Sequence, residues 1–390
     1  MHQGKFVFSQ ILGEVVRYQF NQCATRYKGE YWVKNFSCWE QFLALVFGQL
    51  SFRESLRDII VCLSAHREKL YHLGFRSVVA RNTLAHANEK RDWRIWRDYA
   101  QLLIGEARKL YARDPLFTLH LDATAYVIDS TTIELCLNMF PWARLVKKRA
   151  AVKLHLGLAL HGHIPSFFDF SSGKEPDVFF LDRIVCEPGA YYIMDRGYID
   201  FTRLHAIHRV GAFFVTRAKD NLSCHRLYSH PTKDSSGIRC DQTIVLDGYY
   251  ARKGYPDQLR RIKYYDTDTN RYYVFLTNNF DLDAKTIADL YKHRWQIELF
   301  FKWIKQHLSV KVFWGRSENA VKTQICVALS AYLLVAILKK KLGIKRNSYE
   351  ILQILSVSLF DKTPISTLIS EFVLPSAVAD QLKQASLWDY

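Results

Sequence analysis

Tyr291, Arg294, Glu298 and Lys305 stand at offsets 0, 3, 7 and 14 of the run YKHRWQIELFFKWIK. The run contains no Gly or Pro, and as one helix at about 100° per residue it collects these four side chains within an arc of roughly 60°. A carboxylate beside a guanidinium, an ammonium and a phenol makes a poor core residue and a good ligand residue. The rest of the wheel carries Trp295, Ile297, Leu299, Phe300, Phe301, Trp303 and Ile304, so most of the helix is expected to be buried. An ion-paired surface stripe is the plain alternative, since Arg294 to Glu298 and Glu298 to Lys302 are both i,i+4 pairs.

Two other acids occupy informative places. Asp129 closes an apolar strand in YVIDSTT, and Asp195 closes the strand YYIMD before Arg196-Gly197-Tyr198. If those strands are neighbours, their carboxylates approach each other. Hard oxygen ligands of this kind suit Mg²⁺ or Mn²⁺. Two such cations about 4 Å apart serve the attacking and leaving oxygens of an in-line displacement on a phosphodiester. Each acid also has a structural reading, Asp129 in an Asx turn and Asp195 as a helix cap. Asp122 ranks below Asp129, because an odd separation along a strand places it on the opposite face.

The elements that must position these acids follow from periodicity. Residues 1–115 read as a helical N-terminal domain, with FSQILGEVVRY, CWEQFLALVFGQL and RESLRDIIVCL at three- and four-residue apolar spacing. Within it, residues 75–96 put Ser77, Arg81, Asn82, Thr83 and Lys90 around a seam of Val78, Val79, Leu84 and Ile95, the pattern of a turn and a DNA recognition helix or of a solvated helix surface. After Asp114-Pro115 period two takes over, predicting strands at 119–130, 133–139 and 152–160 as an antiparallel meander. A helix at 177–185, a strand at 190–195, a helix at 201–210 and a strand at 212–218 follow. Three antiparallel strands, then helix, strand, helix, strand, is the order of an α/β ribonuclease-H-like core. That core is assigned to residues 116–218 and 277–345. Residues 219–276 read as a β-strand insertion, with strands at 242–248, 258–266 and 271–277 and no helix, and residues 346–390 as a helical C-terminal region.

The whole composition agrees with chemistry on an anion. Lys and Arg exceed Asp and Glu by 16 in 390 residues, which predicts a nucleic-acid partner over an ordinary basic enzyme. An apolar fraction of 49% is ample for a packed core. The eight cysteines form no CxxC or Cys/His knuckle, against a zinc ribbon or disulfide framework. The amino terminus lacks the features of a signal peptide, and the most apolar run, 325–338, falls short of a bilayer span, so no membrane role and a cytoplasmic location are expected.

Tyr291, Arg294, Glu298 and Lys305 match the Y-x2-R-x3-E-x6-K signature of the insertion-sequence-4 family of bacterial DDE transposases. IMDRGYIDF resembles that family's second-aspartate motif and VIDSTTIEL its first. The resemblance runs from about residue 120 to 345, and the segment before it looks like the helical domain that precedes the core in one branch. It implies that Asp129, Asp195 and Glu298 hold two Mg²⁺ or Mn²⁺ ions, while Tyr291, Arg294 and Lys305 bind DNA backbone near the cleaved end. It implies cut-and-paste transposition through a hairpin intermediate, on double-stranded DNA comprising the element's terminal inverted repeats and a target, by a homodimer in a synaptic complex. Two other readings keep the same fold: an inactive DNA-binding derivative, and a hydrolytic nuclease. The roles of Asp177 and His155, both beside the expected core, are open from sequence.

Overall fold

The computed structural model describes residues 4–14, 17–112, 123–146, 149–232, 237–310 and 312–370. Asp114-Pro115, Asp122 and the end of the helical C-terminal region, including Pro375, lie outside them.

Six helices come first: α1 (Val7–Leu12), α2 (Arg17–Arg26), α3 (Cys38–Leu50), α4 (Leu56–Ala65), α5 (Arg81–Lys90) and α6 (Arg94–Tyr111). A capping box starts α3. The Ser37 hydroxyl accepts from the Glu40 amide while the Glu40 carboxylate accepts from the Ser37 amide, satisfying two donors that a helix start leaves open. All of α3 is buried, so its CWEQFLALVFGQL sequence is apolar nearly all round.

The sheet begins with β1 (Ala125–Leu135), β2 (Arg144–Val146), β3 (Arg149–Ala159) and β4 (Ile164–Ser172), and continues through β5 (Tyr191–Met194), α7 (Phe201–Arg209) and β6 (Phe213–Arg217). Across it the order is β4, β3, β1, β5, β6, antiparallel from β4 to β1 and parallel from β1 to β6. This is the ribonuclease-H-like arrangement expected. The meander is built differently from the expectation, however. Residues 125–135 form one strand running through Asp129, because Thr131 and Thr132 suit an extended chain and pairing with β3 continues to Leu135. The third antiparallel strand is β4, whose opening Pro and serines hid it.

The insertion extends the same sheet. It comprises β7 (Cys224–His230), β8 (Ile238–Leu246), α8 (Tyr249–Gly254), β9 (Leu259–Asp266) and β10 (Arg271–Thr277), and β10 pairs antiparallel with β6 to give a sheet of ten strands among the described residues. The edge strand β7, CHRLYSH, is mostly exposed and so carries no alternation, and the short helix α8 interrupts a stretch expected to hold strands alone.

Alternate residues of the central strands supply two cores. Val127, Ile193 and Val215 face α9 (Ala284–Lys292) and α10 (Trp295–His307), whereas Tyr126, Ile128, Tyr192, Met194 and Phe214 face α7 and the 3₁₀ turn Asp177–Arg183. The chain closes with α9, α10, α11 (Glu318–Lys341), α12 (Ser348–Ser358) and α13 (Ile365–Ile369). Helix α11 extends beyond the 325–338 run and is long and apolar enough to cross a membrane, but 89% of that window is buried inside the protein, against α3, α5 and α6.

Candidate active site

Strand pairing brings the two aspartates together. The parallel β1–β5 register ends at Ile128 opposite Met194, so Asp129 and Asp195 come next on adjacent strands. Ile128 and Met194 face the α7 core, and one residue further an extended chain reverses its side chains, turning both carboxylates toward α9 and α10. This is the carboxyl end of the parallel strands, where an open α/β sheet presents its ligand sites.

Residues 291–305 are not one helix. Tyr291 lies in the last turn of α9 and Arg294 precedes α10, with a tight joint at His293–Arg294 in which the Arg294 and Gln296 amides bond carbonyls three residues back. Glu298 and Lys305 share α10, as expected. Ile297, Phe300, Phe301 and Ile304 bury its inner face, while Trp295 (52% exposed) and Leu299 (40% exposed) stand at the surface, against the sequence expectation. They flank the acid, where burial yields to access.

Tyr291, Arg294 and Lys305 each reach β1 or the residue that follows β5, and Glu298 pairs with Arg294. The Arg294 guanidinium lies 2.7 Å from Glu298 Oε1 and 3.7 Å from Asp129 Oδ2. Tyr291 donates its hydroxyl to Asp195 Oδ1 at 3.3 Å. Lys305 Nζ donates to Thr131 Oγ1 at 2.6 Å and to the Thr132 carbonyl at 3.0 Å. The Ser130 amide donates to Asp129 at 2.8 Å. A cleft of about 360 Å³ opens between Asp129, Thr131, Glu298, Lys302 and Lys305. Lys302, an i,i+4 partner of Glu298 by sequence, lines the cleft because it lies one turn beyond that acid on α10.

The electrostatics mark a buried acid crowded by like charge. Burial pushes the Asp129 carboxyl up to about 6; the Ser130 amide and Arg294 oppose this, and the charges of Glu298 and Asp195 add to it. Burial likewise pushes the Tyr291 hydroxyl up to about 12, so it stays a donor at neutral pH. Three hard carboxylates around a crowded negative locus fit a divalent cation. They are not drawn together as metal ligands, and Arg294 supplies the positive charge between two of them.

Asp177 and His155 stand on the other face. Asp177 accepts from Ser130 Oγ at 2.8 Å and Lys153 Nζ at 2.9 Å, pinning the 177–183 turn to β1 and β3. His155 is fully buried, stacked on Phe180, with Nε2 2.7 Å from Ser171 Oγ. In the N-terminal segment Ser77, Arg81, Asn82, Thr83 and Lys90 are exposed around buried Val79, Leu84 and Ile95, and Val78 is exposed (47%) instead of joining the seam.

Residues 120–334 match the family described as Transposase DDE domain, and residues 3–76 match a domain of unknown function, DUF4372. The putative transposase y4zB of Sinorhizobium fredii is 35% identical over 65% of this chain and 70% of its own length. The probable transposase for insertion sequence element IS5377 of Geobacillus stearothermophilus is 32% identical over 54% and 55%. The putative transposase for insertion sequence element IS4SA of Synechocystis is 26% identical over 66% and 71%. A match of more than half the chain, centred on the strands and helix that carry the three acids, places this protein in the DDE transposase family.

Proposed function

We propose that this chain is the transposase of a bacterial insertion sequence, of the insertion-sequence-4 type marked by Tyr291, Arg294, Glu298 and Lys305. Asp129, Asp195 and Glu298 are its metal ligands, for two Mg²⁺ or Mn²⁺ ions. The observation that carries this reading is the parallel register that sets Asp129 beside Asp195 under α10. When bound, the ions activate the attacking oxygen and stabilise the leaving oxygen at phosphorus. The protein's own groups bind and orient the DNA. Arg294 offers a planar fork to a phosphate, Lys305 a point charge anchored to Thr131 and Thr132 of β1, and Tyr291 a hydroxyl donor. For Arg294 to take a phosphate it leaves Glu298 and Asp129, which frees both carboxylates. The element's ends are cut and joined to target DNA through a hairpin intermediate, by a dimer holding two ends; exposed Arg81, Asn82 and Thr83 on α5 contribute DNA contacts outside the cleft.

The test is full-length protein with DNA carrying the element's own terminal repeats and Mg²⁺, read for cleaved ends, hairpins and strand-transfer products. Loss of all products in Asp129→Ala, Asp195→Ala and Glu298→Ala, with DNA binding retained, is expected. Unchanged activity in any of the three overturns the site. Cleavage without strand transfer indicates a hydrolytic nuclease, and binding without cleavage under any divalent cation an inactive derivative.

A further inference from the structure

Among the described residues, one set of His, Cys, Asp or Glu brings three ligand atoms within 4.8 Å of one another, and it lies away from the cleft: His205, His208 and Asp257. The histidines are three apart on α7, so their rings leave the same side of that helix. Asp257 comes from the corner between α8 and β9. His205 Nε2 is 2.9 Å and His208 Nδ1 3.7 Å from Asp257 Oδ2. A tetrahedral ion with bonds of about 2.05 Å holds its ligand atoms about 3.3 Å apart, between those two separations. The three side chains are 21%, 36% and 53% exposed, which leaves an entry path.

The rings are held in place from beneath. Tyr255 is fully buried, edge-on to His205 and stacked on His208 at 5.7 Å. Its hydroxyl lies 2.8 Å from His208 Nδ1. With His208 protonated at Nε2, the phenol donates to that nitrogen. In that tautomer Nδ1 carries the lone pair that a metal requires, and an entering ion competes with the phenol for it.

We propose that His205, His208 and Asp257 form a second metal site, a Zn²⁺-class tetrahedral centre completed by water, which clips the α8–β9 corner of the insertion to helix α7 of the core. Two imidazoles and one carboxylate select a borderline ion, whereas the all-carboxylate set of Asp129, Asp195 and Glu298 selects a hard one. Ligand chemistry thus sorts two metals between two places in one fold.

Zn²⁺ binding to the full-length protein, measured by competition with a chromophoric chelator in excess Mg²⁺, tests this. Removing a ligand costs at least what losing an outer partner costs, so His205→Gln and Asp257→Asn are expected to bind roughly 10- to 100-fold more weakly. Tyr255→Phe, which frees the His208 lone pair, is expected to bind at least as tightly as the parent. With Co²⁺ the parent shows the visible absorption of a tetrahedral centre and His205→Gln does not. Both ligand positions are partly exposed, and circular dichroism identifies any variant that has lost its fold. Equal Zn²⁺ stoichiometry and affinity in the parent and both ligand variants, with no tetrahedral Co²⁺ band, overturns the proposal and leaves a His–Asp ion pair.

Discussion

Asp129 and His155 lie on opposite faces of one strand pair and titrate in opposite senses. Asp129, at about 6 in the folded protein, is above its ordinary 3.8, so the native state binds the extra proton between those values. Its favourable contribution is complete below 3.8 and is lost as pH rises through 6, at a cost of roughly 3 kcal/mol by linkage. His155, which burial lowers from 6.5 to about 4, is stabilising when neutral; its contribution is present above 6.5 and lost as pH falls toward 4, again roughly 3 kcal/mol. In the metal-free parent the two slopes oppose each other from about pH 4 to 6. Denaturation of Asp129→Asn across that window is expected to show stability falling with acid more steeply than the parent, and His155→Gln the reverse. Asp129→Asn is also expected to be more stable than the parent above about pH 6, and to lack the rise in Tm with Mg²⁺ that is expected of the parent. A parent and Asp129→Asn with identical pH profiles and identical Mg²⁺ response contradict the account of a crowded, cation-seeking carboxylate.

At the scale of elements, the insertion does more than separate Asp195 from Glu298. Arg260 on β9 is buried and pairs through two nitrogens with Asp241 on β8, at 2.9 and 2.7 Å, and it donates to the Leu282 carbonyl at 2.5 Å just before α9. One side chain thus fastens the added strands to the start of the helix pair that carries Tyr291 and Glu298. Arg260→Met leaves the Asp241 carboxylate buried and unpaired and is expected to destabilise by about 3 to 5 kcal/mol. The double variant Arg260→Met with Asp241→Leu removes both charges and is expected to recover much of that loss, read by chemical denaturation. Equal loss in single and double variants counts against the pair. None of this is visible in QLRRIKYYD, where both arginines look like surface charge. What was legible depended on period and on local chemistry: β3, β5, β6, β9 and β10 follow their apolar patterns, and the three acids end or flank such patterns. The break at His293–Arg294 was not legible, because it uses helical dihedrals throughout and needs no Gly or Pro. Strand β7 was missed for lack of alternation, and β4 because Pro165 and its serines masked the short alternation of Phe168 and Phe170 about Asp169.

For the whole molecule, the N-terminal helices and the sheet share one continuous apolar core through α11, so the strand ends, the cleft and exposed α5 are held as one body. An excess of 16 positive charges on that body acts on DNA mainly through phosphates. Each phosphate neutralised by Lys or Arg releases condensed counterion, lowering log K by about 0.9 per decade of salt. Six to ten such contacts correspond to a loss of roughly 10³- to 10⁵-fold in affinity between about 50 and 200 mM salt. Binding of terminal-repeat DNA, titrated by anisotropy without divalent metal, is expected to fall in that range. Lys305→Ala removes one cation at the cleft while leaving α10 packed on Ile297, Phe300 and Ile304, so its slope is expected to be shallower by about one. Arg294→Ala removes a cation too, but it also unpairs Glu298 and Asp129 beside the proposed DNA path, so it is expected to weaken binding more than Lys305→Ala at every salt concentration. A salt-independent parent, or equal slopes in the parent and Lys305→Ala, contradicts a phosphate-gripping role for the cleft.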